Sequence, residues 1–435
     1  MNERNATLCS PRQSSKLDPS TPALAFSVKP TSCPTDHIVI KVDRFGFSAN
    51  NITYQALGEH PHLRYFDFHS APDSANDGVS SKTHGVIPVW GFGTVVQSAH
   101  TKVREGERLY GYFAPARYLL LPISSTDANK YAIYVPRPHL PADRRPYNQI
   151  LRCSTDPQYS PSPVAEDMTM LYRPLFWTAY WCEDWLHTTG YRGGASSILV
   201  SSASSKTAFC FAYRARKRIR AGELGTDTKI IGLTSKRNTA FTQRLGLYDE
   251  VLDYDAFLSS PSFLKGAEKK WLYVDVAGNE DLNARIKAHF ASPYTGKMAG
   301  IVSLGFTNLS PTSSDTVPDW STHGTGVTSS STTELVETSG LASQFWPRTE
   351  NFFTPEWLDV RQHQIPLAEI FSRQNTAWKE LMEDGKDWVQ LERVYGAKKV
   401  QEAYVKLAKE GLGPDKGLIW SMWDEEPRAM LASRL

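Results

Sequence analysis

Two short stretches of this 435-residue chain hold the residue types that binding a phosphorylated ligand would need. In the first, the apolar run Ser197–Val200 leads into Ser201-Ser202-Ala203-Ser204-Ser205-Lys206-Thr207 and then a helical pattern. A strand that turns into a helix N-terminus presents backbone N–H groups and the positive end of a helix dipole to a pyrophosphate. The usual G-x-G-x-x-G is absent. Serine and alanine are still small enough for close approach, the hydroxyls of Ser201, Ser202, Ser204, Ser205 and Thr207 can donate, and Lys206 adds a charge. The same residues would also make an ordinary helix cap in a core sheet. Ser205-Lys206-Thr207 resembles the end of a nucleotide-triphosphate loop, but that loop needs glycine where Val200 and Ser205 stand.

The second stretch, Gly232-Leu233-Thr234-Ser235-Lys236-Arg237, closes the next apolar run. In dinucleotide folds an acidic side chain near this point bonds the ribose hydroxyls of NAD. No acid is present here. Two hydroxyls and two adjacent cations suit a 2′-phosphate instead, although the pair would also serve as a solvated helix start. The two stretches lie about 30 residues apart, the length of one strand–helix–strand unit, and together they point to NADP(H).

Other chemistries find little support. The five cysteines (Cys9, Cys33, Cys153, Cys182, Cys210) are odd in number and contain no C-x-x-C, which reads as free thiols in a reducing compartment. His60, His62 and His69 lie in a loop-like stretch without a cysteine cluster, so no metal site is expected. No G-x-S-x-G marks a serine nucleophile.

The elements that must position these residues divide the chain by texture. Residues 1–24 read as a loose polar arm. Short β-runs with Gly and Pro punctuation follow over 25–160: Ala25–Val28, 37–42, 85–98 and 107–121. A helical stretch from Met168 carries Phe176, Trp177, Tyr180, Trp181 and Trp185 at core spacing. Apolar strands then alternate with helices over 165–355, which argues for a parallel sheet covered on both faces. A Ser/Thr-rich insertion at 307–340 is too polar to pack. Helices near 366–382 and 398–409 and a strand at 417–420 fill 356–435. The basic run Arg214–Arg220 reads as an exposed helix end favoured by the helix dipole.

Composition narrows the class. Hydrophobic residues make up 40% and charged residues 22%, with 48 Lys+Arg against 46 Asp+Glu. That balance gives no bulk field for nucleic acid, and no apolar run approaches the roughly 18 residues of a membrane span. The first twenty residues lack the apolar core of a secretory signal.

The chain resembles the medium-chain dehydrogenase/reductase superfamily, in its zinc-free quinone-oxidoreductase and enoyl-reductase branch. The likeness rests on Gly91-Phe92-Gly93-Thr94-Val95 with Val103-Arg104-Glu105-Gly106-Glu107-Arg108-Leu109-Tyr110-Gly111, on Thr178-Ala179-Tyr180, on Leu245–Tyr254, and on Asp275-Val276-Ala277-Gly278 with Gly305. It is closest to an uncharacterised fungal and bacterial family catalogued as a domain of unknown function. The resemblance implies an α/β protein: a GroES-like β-barrel domain over 25–160, completed by the C-terminal residues, and a doubly wound Rossmann domain with nicotinamide at the strand ends. It adds Tyr180, Asp275, Gly278 and Gly305 to the cofactor set. It also places Asn50, Asn51 and Tyr54 where zinc-free relatives carry an Asn and a Tyr beside the nicotinamide. Tyr112 reads as barrel packing.

The function expected is NADPH-dependent, zinc-independent hydride transfer to an activated C=C or quinone of a small, secondary-metabolite-type substrate. A non-redox lyase or hydrolase and a non-catalytic binding protein on the same scaffold stand as alternatives. A homodimer is allowed. The ending Ser433-Arg434-Leu435 is similar to a peroxisomal signal, so a cytoplasmic or a peroxisomal address is expected.

Overall fold

The computed structural model describes residues 4–264, 268–292, 294–306, 309, 311, 333–336 and 344–425. They fall into two compact units, one of residues 1–173, 310–312 and 371–435, the other of 174–309 and 313–370.

In the second unit six strands pair in the order Glu250–Asp253, Lys229–Thr234, Ser197–Val200, Lys270–Asp275, Lys297–Ser303, Thr349–Asn351. Every pairing is parallel. Numbered along the chain, the order is 3-2-1-4-5-6, that of the dinucleotide-binding fold, which reverses direction beside Ser197–Val200. The strands are short and apolar because parallel strands are covered on both faces. Leu199, Ile231, Leu233, Trp271, Tyr273 and Ile301 form one buried cluster with helix Glu280–Phe290, through Leu282, Ile286 and Phe290. Glu250–Asp253 and Thr349–Asn351 were not anticipated as strands: the first is four residues long and half polar, the second three residues long and wholly polar.

The first unit is built on a sheet whose order is Gln390–Tyr395, Lys416–Ser421, His37–Phe47, Val89–Ser98, Arg108–Phe113, Gln149–Arg152, Ala132–Tyr134, with Tyr118–Pro122 also on His37–Phe47. The long strand His37–Phe47 holds it together. Its first half pairs with Tyr118–Pro122 and its last three residues with Leu418–Trp420. Two register shifts against Val89–Ser98 bend it, as bulges do. A Cβ at Gly91 would stand 2.8 Å from the Arg44 carbonyl, and one at Gly93 2.8 Å from that of Lys41. The G-x-G signature is therefore a close strand crossing. The C-terminal strand thus returns to the N-terminal sheet, completing the GroES-like part of the expected α/β architecture.

Buried charges tie this unit together. Arg44 reaches Glu166 at 2.8 Å and Asp167 at 3.2 Å, Arg108 reaches Glu166 at 2.6 Å and also Asp43, and Arg393 reaches Asp167 at 2.6 Å.

Several expectations need correction. The arm expected over 1–24 contains the strand Arg4–Pro11, whose residues from Asn5 onward are all buried. It pairs with Ala23–Val28 and with His84–Gly85, because alternate apolar residues (Ala6, Leu8) let it pack despite its polar composition. The basic run at 214–220 is largely paired: Arg216 reaches Asp249 at 2.7 Å and Arg218 reaches Glu183 at 3.1 Å. Most of the insertion at 307–340 and the ending Ser433–Leu435 lie outside the described residues. No described helix is long and apolar enough to cross a membrane.

Candidate dinucleotide site and its polar neighbours

At the carboxyl end of Ser197–Val200 the chain turns at Ser202, whose φ is +50°, and enters helix Lys206–Arg220. A left-handed serine costs about 1–2 kcal/mol, the reason glycine usually stands in such turns. Two contacts offset it. The Ser202 amide donates to the Tyr254 hydroxyl at 3.1 Å, and the Ser202 carbonyl accepts from the Ser205 amide at 2.7 Å. The close packing that glycines provide elsewhere comes from the neighbouring strand. A Cβ at Gly232 would come within 2.8 Å of the Ala203 Cβ and 2.9 Å of the Tyr248 ring. The glycine has changed strands.

Three of the turn hydroxyls can be followed to partners. Ser201 is buried; its Oγ donates to Asp275 Oδ1 at 2.7 Å and accepts from the amides of Val276 and Ala277. Ser204 Oγ accepts from Thr234 Oγ1 at 3.0 Å and from Asn238 Nδ2 at 3.1 Å. Ser205 caps the helix, its Oγ accepting from the Ala208 amide. That leaves the Thr207 amide, in the helix's first turn, with no intrahelical acceptor. Lys206 is buried on the same turn and bears electrostatically on Cys210.

The end of Lys229–Thr234 differs. Ser235 Oγ is buried with no hydrogen-bond partner among the described residues, while Lys236 and Arg237 beside it are exposed. A buried hydroxyl left unsatisfied costs free energy, so an acceptor or donor from outside the protein would be favoured there.

Asp275 is fully engaged. Its Oδ1 accepts from Ser201 and from the Ala277 and Gly278 amides at 3.1 and 3.0 Å, and its Oδ2 from Asn283 Nδ2 at 2.8 Å. Asp275 therefore braces the turn. Gly278, at φ +62°, and Gly305 pack against neighbouring backbone: a Cβ at Gly278 would meet the Gly305 carbonyl at 3.1 Å, one at Gly305 the Val276 carbonyl at 3.1 Å. Tyr180 packs under Arg214, whose guanidinium lies 4.8 Å from its ring centre. The structure brings Ser201, Ser202, Ser204, Thr234 and Asp275 together, while the contacts of Tyr180 are with Arg214 and with the rings of Phe176, Trp177 and Trp181. Tyr248, Tyr254 and Asn238 were missed as site residues, although Tyr254 ends the Leu245–Tyr254 motif.

The other candidates belong to the first unit. Asn50, Asn51 and Tyr54 lie on helix Ala49–Ala56. Asn51 is structural in its contacts: its Oδ1 accepts from the Ser48 amide at 2.9 Å and its Nδ2 donates to the Pro88 carbonyl at 3.2 Å. Tyr54 stacks on Tyr65 at 4.2 Å and stands edge-on to Tyr112. Burial holds its phenol well above the ordinary value, against the opposing pull of Asn50 and Tyr112. The phenol therefore keeps its proton and can act as a donor.

The three histidines part company: His62 meets Asp143 at 2.8 Å, His60 Nδ1 accepts backbone amides, and His69 meets the Tyr112 carbonyl. Among the described residues no cluster of three His, Cys, Asp or Glu side chains is placed to hold a metal ion.

Solved structures with a similar chain path include CurA from Vibrio vulnificus in complex with NADPH (12% identity, 98% of this chain and 100% of that one, TM-score 0.49). A probable oxidoreductase from Mycobacterium abscessus (12%, 97% and 100%, TM-score 0.48) and the YhdH oxidoreductase of Salmonella enterica with NADP (12%, 96% and 99%, TM-score 0.46) are also similar. At these values the likeness assigns neither activity nor ligand. No curated protein matches the chain. The model of one family, described as "Protein of unknown function (DUF2855)", matches residues 45–413, and the chain belongs to that family.

Proposed function

We propose that this protein is an NADPH-dependent, zinc-independent oxidoreductase that reduces an activated C=C or quinone of a small substrate. The observation that carries the reading is Ser235: a buried hydroxyl with no partner among the described residues, beside exposed Lys236 and Arg237, just past the second strand of a 3-2-1-4-5-6 parallel sheet. That is where this fold reads the adenosine ribose, and the residues present suit a phosphorylated one. The Thr207 amide and the dipole of helix Lys206–Arg220 would hold the pyrophosphate, with Lys206 supplying charge on that turn. When bound, the cofactor supplies hydride. Tyr54, kept protonated by burial, would donate to a substrate oxygen as negative charge develops there, with Asn50 orienting its hydroxyl.

One observation favours a second reading, a non-redox enzyme on the same scaffold: the Ser201, Ser204 and Ser205 hydroxyls already have protein partners. Calorimetric titration separates the two. NADPH should bind well above NADH. The double variant Lys236→Ala/Arg237→Ala should weaken NADPH roughly 10- to 100-fold, as expected for lost charge-assisted bonds, and leave NADH nearly unchanged. Equal losses for both nucleotides, or no binding of either, would reject the reductase.

A further inference from the structure

The first unit contains a cavity of about 480 Å³ that the proposed reductase chemistry does not use. Its walls include Phe68, Leu119, Leu121 and Val135, which are apolar, and Arg137 and His69, which are not. Arg137 is only 8% exposed. Its Nε donates to the Phe68 carbonyl at 2.9 Å and its Nη1 to Asn148 Oδ1 at 2.9 Å; its guanidinium also lies 5.4 Å from the Phe68 ring centre. No carboxylate among the described residues reaches it. The other buried arginines each have one: Arg44 meets Glu166, Arg144 meets Asp143, Arg173 meets Asp156.

A buried cation without a counter-ion is costly, and a fold that keeps one gains by admitting an anion. Among the described residues Nη2 has no acceptor, and with Nη1 it forms the fork that a planar carboxylate matches with two parallel bonds. His69 beside it adds no second positive charge. His69 Nε2 faces the Tyr112 carbonyl, and burial with the neighbouring Arg137 charge pulls its imidazole down to about 3, so it is neutral. The Asp67 carboxylate at the rim is held by Arg64 at 2.7 Å. The Arg137 charge in a space of this size, with Phe68, Leu121 and Val135 as an apolar patch on its otherwise mixed wall, suits a singly charged ligand with a small apolar body. Burial likewise pulls the guanidinium down to about 10, as an uncompensated charge should.

We propose that this cavity binds a small organic monocarboxylate, its carboxylate paired with Arg137 and its body against Phe68, Leu121 and Val135. Calorimetry on the full chain without nucleotide tests it, with sodium benzoate as probe and benzamide and inorganic phosphate as comparators. Benzoate should bind at least tenfold tighter than benzamide, and phosphate should not displace it. Arg137→Gln should weaken benzoate at least tenfold. Ser70→Glu, which tethers a carboxylate at the exposed edge of the cavity, should do the same, so the proposal stays testable if Arg137→Gln does not fold. Equal binding of benzoate and benzamide, displacement by phosphate, or benzoate affinity unchanged in both folded variants would overturn it. Because no nucleotide is present, that failure would leave the reductase reading standing.

Discussion

The serine turn of the parallel-sheet unit and the cavity of the other unit handle buried polar groups in opposite ways. In the serine turn the Ser201, Ser204 and Ser205 hydroxyls find protein partners, and Asp275 takes four hydrogen bonds by itself. Around Arg137 a full charge is buried beside a neutral histidine, with no acid among the described residues to meet it. The first region gains rigidity from saturation. The second leaves polar capacity that only something from outside can satisfy. Shape and binding thus come from different polar groups, and within the parallel-sheet unit the same division recurs between the saturated turn and the unpaired Ser235.

The largest effect should come from breaking the saturated side. Asp275→Ala strands the Ser201 hydroxyl, the Gly278 amide and Asn283 at once, and removes one of the two acceptors of the Ala277 amide. Buried groups left unsatisfied cost about 1–3 kcal/mol each, so a loss of about 3–5 kcal/mol is expected in urea unfolding. A loss under about 1 kcal/mol would mean that the turn is not braced from the Asp275 strand.

The unsaturated side should show itself through pH. His69 has a folded pKa near 3, well below its ordinary 6.5. Between those values the unfolded chain binds a proton that the folded chain does not, so stability rises with pH, is complete above about 6.5, and falls as the medium is acidified. The slope for one such group is about 1.4 kcal/mol per pH unit. His69→Gln can still donate to the Tyr112 carbonyl and cannot titrate. Relative to that variant, the wild type should lose about 2 kcal/mol between pH 6.5 and pH 5 in matched urea melts. Parallel curves would show that His69 protonates freely in the folded state.

The same contrast explains what the sequence could disclose. Alternation of apolar strands with helices announced the parallel sheet because burial on both faces leaves a continuous apolar record, as in Ser197–Val200 and Lys270–Asp275. The serine turn was visible as a strand–helix junction, but not its wiring. Tyr254 and Asn283 reach it from other elements, and local sequence carries no trace of such a contact. Arg4–Pro11 was misread for the same reason: a polar strand is recognisable as one only once its partners are in place. Arg137 was invisible. What marks it is the lack of a nearby acid, and nearness is a property of the fold.

The smallest expected effect also bears most directly on how the turn does without glycine. If Tyr254 holds Ser202 in its left-handed conformation, Tyr254→Phe should cost about 1 kcal/mol, the net worth of one hydrogen bond. Ser202→Gly removes the side-chain penalty at φ +50° and, in the wild type, should change stability little, because the conformation is already secured. In the Tyr254→Phe background the same glycine should do more, since strain there is no longer offset. The four proteins form a double-mutant cycle, and a coupling of about 0.5–1 kcal/mol in urea unfolding is expected. Additivity within error would mean that the Ser205 amide on the Ser202 carbonyl suffices, and that the Tyr254 hydroxyl is a bystander whose partner amide is available to a phosphate. NADPH titration of Tyr254→Phe distinguishes these cases. If the hydroxyl occupies the amide, its removal should tighten NADPH; if it orders the turn, its removal should weaken it.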